Sequence, residues 1–215
     1  MGISRTVIIS CAGMGNRLGL GTTKALLEVE GEPLIIRHLK MLQDEQDIRI
    51  VVGYQAEKVI DVVRQYREDV LFVFNHQYRE TGTGASVAAA SRHANDFILS
   101  LDGDLLIHPE DMEKALACSH EFASGDIPGT DDPWLLRTYE EGGTEYVSGF
   151  SRTEGYYEWN GITQMESGKM MHGKGHVFQL IEPWLPVPFL KLRTREIDTV
   201  NDYERAVEWV RNGFS

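Results

Sequence analysis

The chain has 215 residues, enough for one α/β domain with a sizeable core, and a single domain over residues 1–215 is expected. Its formal net charge of −12 argues against a surface that tracks nucleic-acid phosphates, so any anionic ligand is expected to be small and metal-chelated. No apolar run approaches the roughly 20 residues of a membrane span, and the N-terminus lacks the apolar stretch of a signal peptide, which points away from membrane insertion. Cys11 and Cys118 form no disulfide framework and read as core packing in a reduced, cytoplasmic protein. Met1, Gly2 and Thr6 match a myristoylation pattern, but Thr6 leads straight into the first strand and the match is read as chance.

Val7, Ile8 and Ile9 are consecutive β-branched residues followed by Ser10, Cys11 and Ala12, the pattern of a short strand buried on both faces. A loop with Gly13, Gly15 and Gly19 follows, flanked by the cations Arg17 and Lys24. Glycines allow backbone N–H groups to approach a ligand closely, and with two cations they describe a polyphosphate cradle. A P-loop requires Gly-Lys-Ser/Thr, whereas Lys24 follows Thr23 and precedes Ala25. A dinucleotide fold wants a helix inside the glycine run and an acidic end to the next strand. Here Gly19, Gly21, Thr22 and Thr23 prolong the loop, and the strand from Ile48 ends at Gly53 and Tyr54. A solvated turn with two ordinary surface cations is the plain alternative.

The whole string from Ala12 to Leu34, AGMGNRLGLGTTKALLEVEGEPL, resembles the signature of nucleotidyltransferases that join a nucleoside triphosphate to a phosphorylated small molecule. The nearest branches are the phosphocholine cytidylyltransferase and sugar-1-phosphate types. The resemblance implies a three-layer α/β/α, Rossmann-like (GT-A-like) fold with a mixed, mostly parallel central sheet. It also implies that Ala12, Gly13, Met14, Gly15 and Asn16 cover the nucleotide and that Arg17 and Lys24 contact its phosphates as catalytic cations.

Apolar spacing places helices over Leu34–Leu42 and Ala56–Tyr66, and strands over Ile48–Val52 and Val70–Phe74. Strand, helix, strand, helix, strand implies right-handed crossovers and parallel pairing. Thr81 to Ala90, TGTGASVAAA, puts small residues before an alanine-rich helix whose first N–H groups favour anions. It resembles the family segment lying against the base, which implicates Thr83, Gly84, Ala85 and Ser86, although a simply N-capped helix reads the same way.

Phe97 to Leu99 forms the next strand and runs into Asp102, Gly103 and Asp104. Carboxylates at the carboxyl end of a central parallel strand lie where ligands collect, and two around a glycine suit Mg²⁺. The resemblance makes Asp104 a metal ligand and sets Asp102 nearer the nucleoside, while Pro109 and Glu110 keep open an acidic turn before a helix.

Gly125 to Gly143 reads as a surface loop, and Trp134–Tyr139, Glu145–Phe150 and Tyr156–Met165 read as later antiparallel strands on the same sheet. Trp134, Tyr157 and Trp159 are candidate acceptor contacts, since aromatic faces attract a quaternary ammonium or stack on a sugar. Core packing is the other reading of such strand aromatics. In the phosphocholine branch a Trp sits at a place like that of Trp134. His172 and His176 read as turn residues beside Gly173 and Gly175, Val177–Ile181 as a short helix, and Pro186 to Pro188 as an irregular run.

In Arg195 to Ala206, REIDTVNDYERA, Ile197 faces inward while Glu196 and Asp198 face a cleft, and Asn201 or Asp202 is expected to cap a helix. The string resembles the family's closing motif, which makes Asp198 the second metal ligand and leaves Glu196 beside the acceptor. The chain is short between Pro183 and Arg195, where phosphocholine relatives close over the acceptor; Lys169, Lys174 and Lys191 remain open as a second catalytic lysine. The implied activity is a Mg²⁺-dependent transfer from a nucleoside triphosphate, CTP first, to a small phosphorylated acceptor. A nucleotide-sensing module or a nicotinamide-dependent oxidoreductase would share the glycine loop but not the paired carboxylates.

Overall fold

Strand β1 (Arg5–Cys11) lies between β4 (Ile48–Val52) and β6 (Phe97–Asp102), parallel to both. Val7, Ile8 and Ile9 are fully buried because both faces of this strand are covered, which is why they show no alternation. The computed structural model describes residues 3–14, 21–130 and 132–215.

Val7 and Ile9 pack with Ile35 and Leu39 of helix α1 (Leu34–Met41) and Val59 and Val63 of α2 (Ala56–Tyr66). Ile8 packs on the opposite side with Val87 and Ala90 of α3 (Thr83–Ala90), giving three layers around one sheet. Beyond β4 lies β5 (Leu71–Phe74), and the described sheet has nine strands in the order β5-β4-β1-β6-β11-β8-β12-β10-β9. Here β8 is Phe122–Asp126, β9 Leu135–Glu141, β10 Thr144–Ser151, β11 Tyr157–Glu166 and β12 Val187–Lys191.

The pairings set β10 and β11 against the direction of the other strands, so the sheet is mixed but mostly co-directional. Strand β9 pairs with β10 and also with the start of β11, so the C-terminal strands curl into a closed ring of pairings. Two ribbons stand apart: β2 (Glu28–Val29) with β3 (Glu32–Pro33), and β7 (Leu105–Ile107) with β13 (Thr194–Glu196). Helices α4 (Pro109–Ala117), α5 (Val177–Ile181) and α6 (Val200–Arg211) complete the described elements apart from single 3-10 turns.

Three sequence-based expectations are corrected here. Gly125 and Asp126 belong to a buried strand rather than to a surface loop, because β11 and β12 flank β8 on both sides. The irregular run at Pro188 is a strand in which Pro188 stands opposite Tyr146, one residue from the start of β12, where a sheet most readily accepts a missing N–H. Helix α6 is capped by Thr199, whose hydroxyl accepts from the Asp202 amide at 3.2 Å while the Asp202 carboxylate accepts from the Thr199 amide at 2.8 Å. Cys11 is buried and Cys118 partly so, both as free thiols, and no described helix is long and apolar enough to cross a membrane.

Candidate active site

The carboxyl ends of β1 and β6 open into a cleft of about 740 Å³. Lys24 enters it from a 3-10 turn whose approach is held by Gln55: its amide nitrogen donates to the Gly21 carbonyl at 2.7 Å, and its oxygen accepts from the Thr23 N–H at 3.3 Å. Gly103 lets the chain turn sharply after β6, since a Cβ there would lie 2.6 Å from the Cys11 sulfur; its N–H donates to the Ser10 carbonyl at 2.9 Å. Asp104 follows. The β7–β13 ribbon pairs Glu196 with Leu105, and the Ile197 N–H donates to the Asp104 carbonyl at 3.2 Å, which brings Asp198 alongside.

Asp104, Glu196 and Asp198 thereby offer oxygens that all lie within 4.8 Å of one another. The Lys24 ammonium donates to Asp104 Oδ2 at 2.7 Å and to Asp198 Oδ1. Burial alone would lower the lysine's pKa, but the Asp104 charge and the hydrogen bonds to both aspartates outweigh it and raise it above the ordinary value. Removal from water, and then the charges of Asp104 and Asp198, push Glu196 up to about 8. Burial and the Asp104 charge push Asp102 to about 8 as well. Among the described residues Asp102 Oδ1 and the nearby Ser10 Oγ are buried without a hydrogen-bond partner, and Gly161, at φ +83°, leaves room for the Asp102 carboxylate that a Cβ would meet at 2.5 Å. Ser10 and Asp102 both line the cleft, and buried orphaned atoms of this kind call for an explanation.

Of the residues expected at the nucleotide, Gly13, Thr83 and Asp102 line the cleft. Gly15, Asn16 and Arg17 lie outside the described residues. Ala12 is buried under Tyr54, whose N–H donates to its carbonyl, and Met14 is half-buried beyond the lining. Gly84, Ala85 and Ser86 also lie off the lining, for a packing reason. The amides of Gly82 and Gly84 donate to the carbonyls of Lys174 and Gly175, and a Cβ on Gly84 would meet the Gly175 oxygen at 2.7 Å. The small residues at the start of α3 therefore seat the 174–176 segment, and Ser86 Oγ accepts from the Asn75 amide. That segment delivers His176, which lines the cleft at the head of α5 and stacks on Phe178, a placement that its reading as a turn residue did not suggest.

Of the residues expected at the acceptor, Trp134, Trp159 and Glu196 line the cleft but Tyr157 does not, because it stacks on Phe189 at 4.3 Å between centroids. The Arg152 guanidinium lies 4.1 Å over the Trp134 ring, and Phe178 packs 4.3 Å from it. Glu158 accepts from the amides of Gly129 and Thr130 and pins the connection after β8 across the cleft wall. Nothing in the spacing of Gln55, Arg152 or Glu158 marks them as part of a site; each arrives through tertiary packing.

Lys24, Asp104, Glu196 and Asp198 thus converge at the carboxyl end of a doubly covered sheet, in a cleft that Gly13 also lines, where ligands collect in open α/β sheets. Residues 7–148, well over half of the chain, match the MobA-like NTP transferase domain. The chain belongs to that family. The chain is 31% identical over 112 residues to the bifunctional protein GlmU of Aliarcobacter butzleri, a stretch covering 51% of this chain and only 26% of that protein. Its fold superposes on the CTP:phosphocholine cytidylyltransferase LicC of Streptococcus pneumoniae with a TM-score of 0.76 at 20% identity, covering 98% of this chain and 100% of that one. The inositol-1-phosphate CTP transferase of T. maritima gives 0.76 at 16% identity, over 100% and 99% of the two chains. At these identities the two structural likenesses speak to the fold.

Proposed function

We propose that the protein is a Mg²⁺-dependent nucleotidyltransferase that couples a nucleoside triphosphate, CTP favoured, to a small phosphorylated acceptor such as phosphocholine and releases pyrophosphate. The observation that carries this reading is the meeting of Lys24 with Asp104 and Asp198, 80 and 174 positions further along the chain, at one end of one cleft. A capped turn or a nucleotide-sensing module has no need of that convergence.

The donor set is all oxygen, the chemistry Mg²⁺ prefers, so Asp104 and Asp198, with Glu196 beside them, fit the ion. When bound, it supplies charge neutralisation and polarisation at phosphate oxygens. The chain's own groups do the rest. The nucleophile is an acceptor phosphate oxygen, already anionic at neutral pH, so no general base is required and the work is positioning and electrostatic stabilisation. It bonds to the α-phosphorus as the bond to the pyrophosphate oxygen breaks. Lys24 stabilises charge growing on the phosphate oxygens, assisted by Arg17 and the loop amides. Asp102 Oδ1 and Ser10 Oγ offer unfilled hydrogen-bonding positions to the nucleoside side.

A second reading takes the acceptor as a sugar or inositol phosphate. It is favoured by Arg152, which already covers the Trp134 face that a quaternary ammonium would use. A pyrophosphate-release screen crossing the four common triphosphates with phosphocholine, aminoethylphosphonate, inositol phosphate and hexose-1-phosphates tests both. Release with CTP and phosphocholine is the expected result, release only with the polyol phosphates moves the assignment to the second reading, and no release from any pair defeats the transferase reading.

A further inference from the structure

We infer that Lys24 is an exchangeable internal cation: its ammonium holds the place among the carboxylates that a divalent ion must take, so the metal enters as the triphosphate draws the lysine away. This rests on reading Asp104, Glu196 and Asp198 as the divalent-ion site.

The ammonium sits between Asp104 Oδ2 and Asp198 Oδ1, and these are two of the three groups whose oxygens come within 4.8 Å. A divalent ion binding carboxylate oxygens at about 2.0–2.1 Å would stand within a few ångströms of a lysine still hydrogen-bonded to the same oxygens, and the two cations repel. One must leave. The lysine can, because it is a point charge on a flexible stem with rotatable donors, whereas the carboxylates are fixed by the β7–β13 ribbon. Its anchoring turn, held by Gln55, stays at the cleft wall, and Gly13 and Thr83 line the same space, so a triphosphate seated there gives the departing ammonium anionic oxygens in place of those it surrendered.

Three consequences separate this from a lysine that merely contacts phosphate. The ligand-free protein binds a divalent ion poorly, because the ion has to expel a salt-bridged ammonium. Metal and triphosphate reinforce one another reciprocally, as linkage requires. Finally, the same lysine keeps the carboxylates compensated while the ion is absent, so the apo site does not fly apart by repulsion.

The test is Mn²⁺ binding to the nucleotide-free full chain, followed by electron paramagnetic resonance, in the native protein and in Lys24→Met and Lys24→Arg. Lys24→Met is expected to bind Mn²⁺ about tenfold more tightly or better, a coupling of the usual allosteric size, while Lys24→Arg, which keeps a cation, remains weak. Adding Asp198→Asn to Lys24→Met should remove the gain, which locates the ion at these carboxylates. Thermal unfolding supplies a second readout: Mn²⁺ without nucleotide should raise the melting temperature of Lys24→Met more than that of the native chain. Equal or weaker Mn²⁺ affinity in Lys24→Met overturns the exchange, and so does a gain that survives Asp198→Asn. Pyrophosphate release by the native chain is scored separately: normal release with equal Mn²⁺ affinities removes the exchange and leaves the transferase, whereas tighter Mn²⁺ binding without release from any substrate pair supports the exchange and removes the transferase.

Discussion

At one end of the cleft an ammonium sits among three carboxylates, and two buried oxygens, Asp102 Oδ1 and Ser10 Oγ, have no partner among the described residues; at the other end Trp134, Trp159 and Phe178 are each packed against another ring or a guanidinium of the same chain. The charged end is incomplete by itself. It concentrates like charge, compensated in part by Lys24, and leaves hydrogen-bonding capacity unfilled, which costs stability. The aromatic end is complete without one, since its rings join the cluster built on Phe150, Leu180 and Ile181. The difference teaches that aromatic residues lining a cleft carry less functional information than unsatisfied polar atoms do.

The comparison is broken if the two ends respond alike to mutation. Lys24→Ala is expected to lower single-turnover rates at saturating nucleotide and Mg²⁺ by roughly two to three orders of magnitude, the cost of one lost donor to developing charge. An unchanged rate would take Lys24 out of the chemistry. Phe178→Ala should do the reverse: a loss of about 3 kcal/mol in denaturant unfolding, with turnover at saturating substrates held within about tenfold. If Phe178→Ala leaves stability intact but abolishes turnover, the aromatic end is a binding site after all. Asp198→Asn should raise the Mg²⁺ concentration for half-maximal rate by about 10- to 100-fold, and a titration superimposable on the native one would separate Asp198 from the ion.

A further effect, read in stability alone, is in pH. Asp102 and Glu196 hold protons up to about 8 in the folded chain, against roughly 4 for carboxyls in an unfolded one. Between those values the native state binds more protons than the unfolded state, so stability falls as pH rises through the window. Unfolding midpoints of metal-free protein should therefore decline from about pH 5 to about pH 8, and Glu196→Gln should flatten the decline. A profile that rises over that range contradicts the charge crowding at this end.

Where side-chain period decided the local structure, the sequence was sufficient. Strand β4, helix α2 and helix α5 occupy the expected Ile48–Val52, Ala56–Tyr66 and Val177–Ile181. Strand β8, Phe-Ala-Ser-Gly-Asp, was not legible because it has one bulky residue and no alternation; it is a strand only because β11 and β12 supply partners on both sides and Ser124 bonds to Asn160 and the Ile162 carbonyl. The Thr199 cap was visible in principle as a threonine three residues before Asp202, and the polar run Asn201-Asp202 obscured it. In the cleft, the meeting of Lys24, Asp104 and Asp198 could be expected because each stands in a long, specific string. The role of the Gly82 and Gly84 amides was not, since their partners, Lys174 and Gly175, lie in a segment with no pattern of its own. That Tyr157 lies off the cleft lining was not legible either, because alternation along β11 does not say which face of a curled sheet meets the cleft.

The short ribbon that opposes Glu196 to Leu105 has a further consequence. Side chains alternate along a strand, so slipping this pairing by a single residue would turn Asp198 away and present Ile197, a fully buried apolar residue, to the solvent side in its place. The enclosure of Ile197 with Leu27, Leu106 and Trp209 forbids that slip. A hydrophobic plug on the far side of the ribbon thus acts as the alignment pin for the acidic chemistry on the near side, and loosening it would blur the geometry of the centre without touching any of its charged groups.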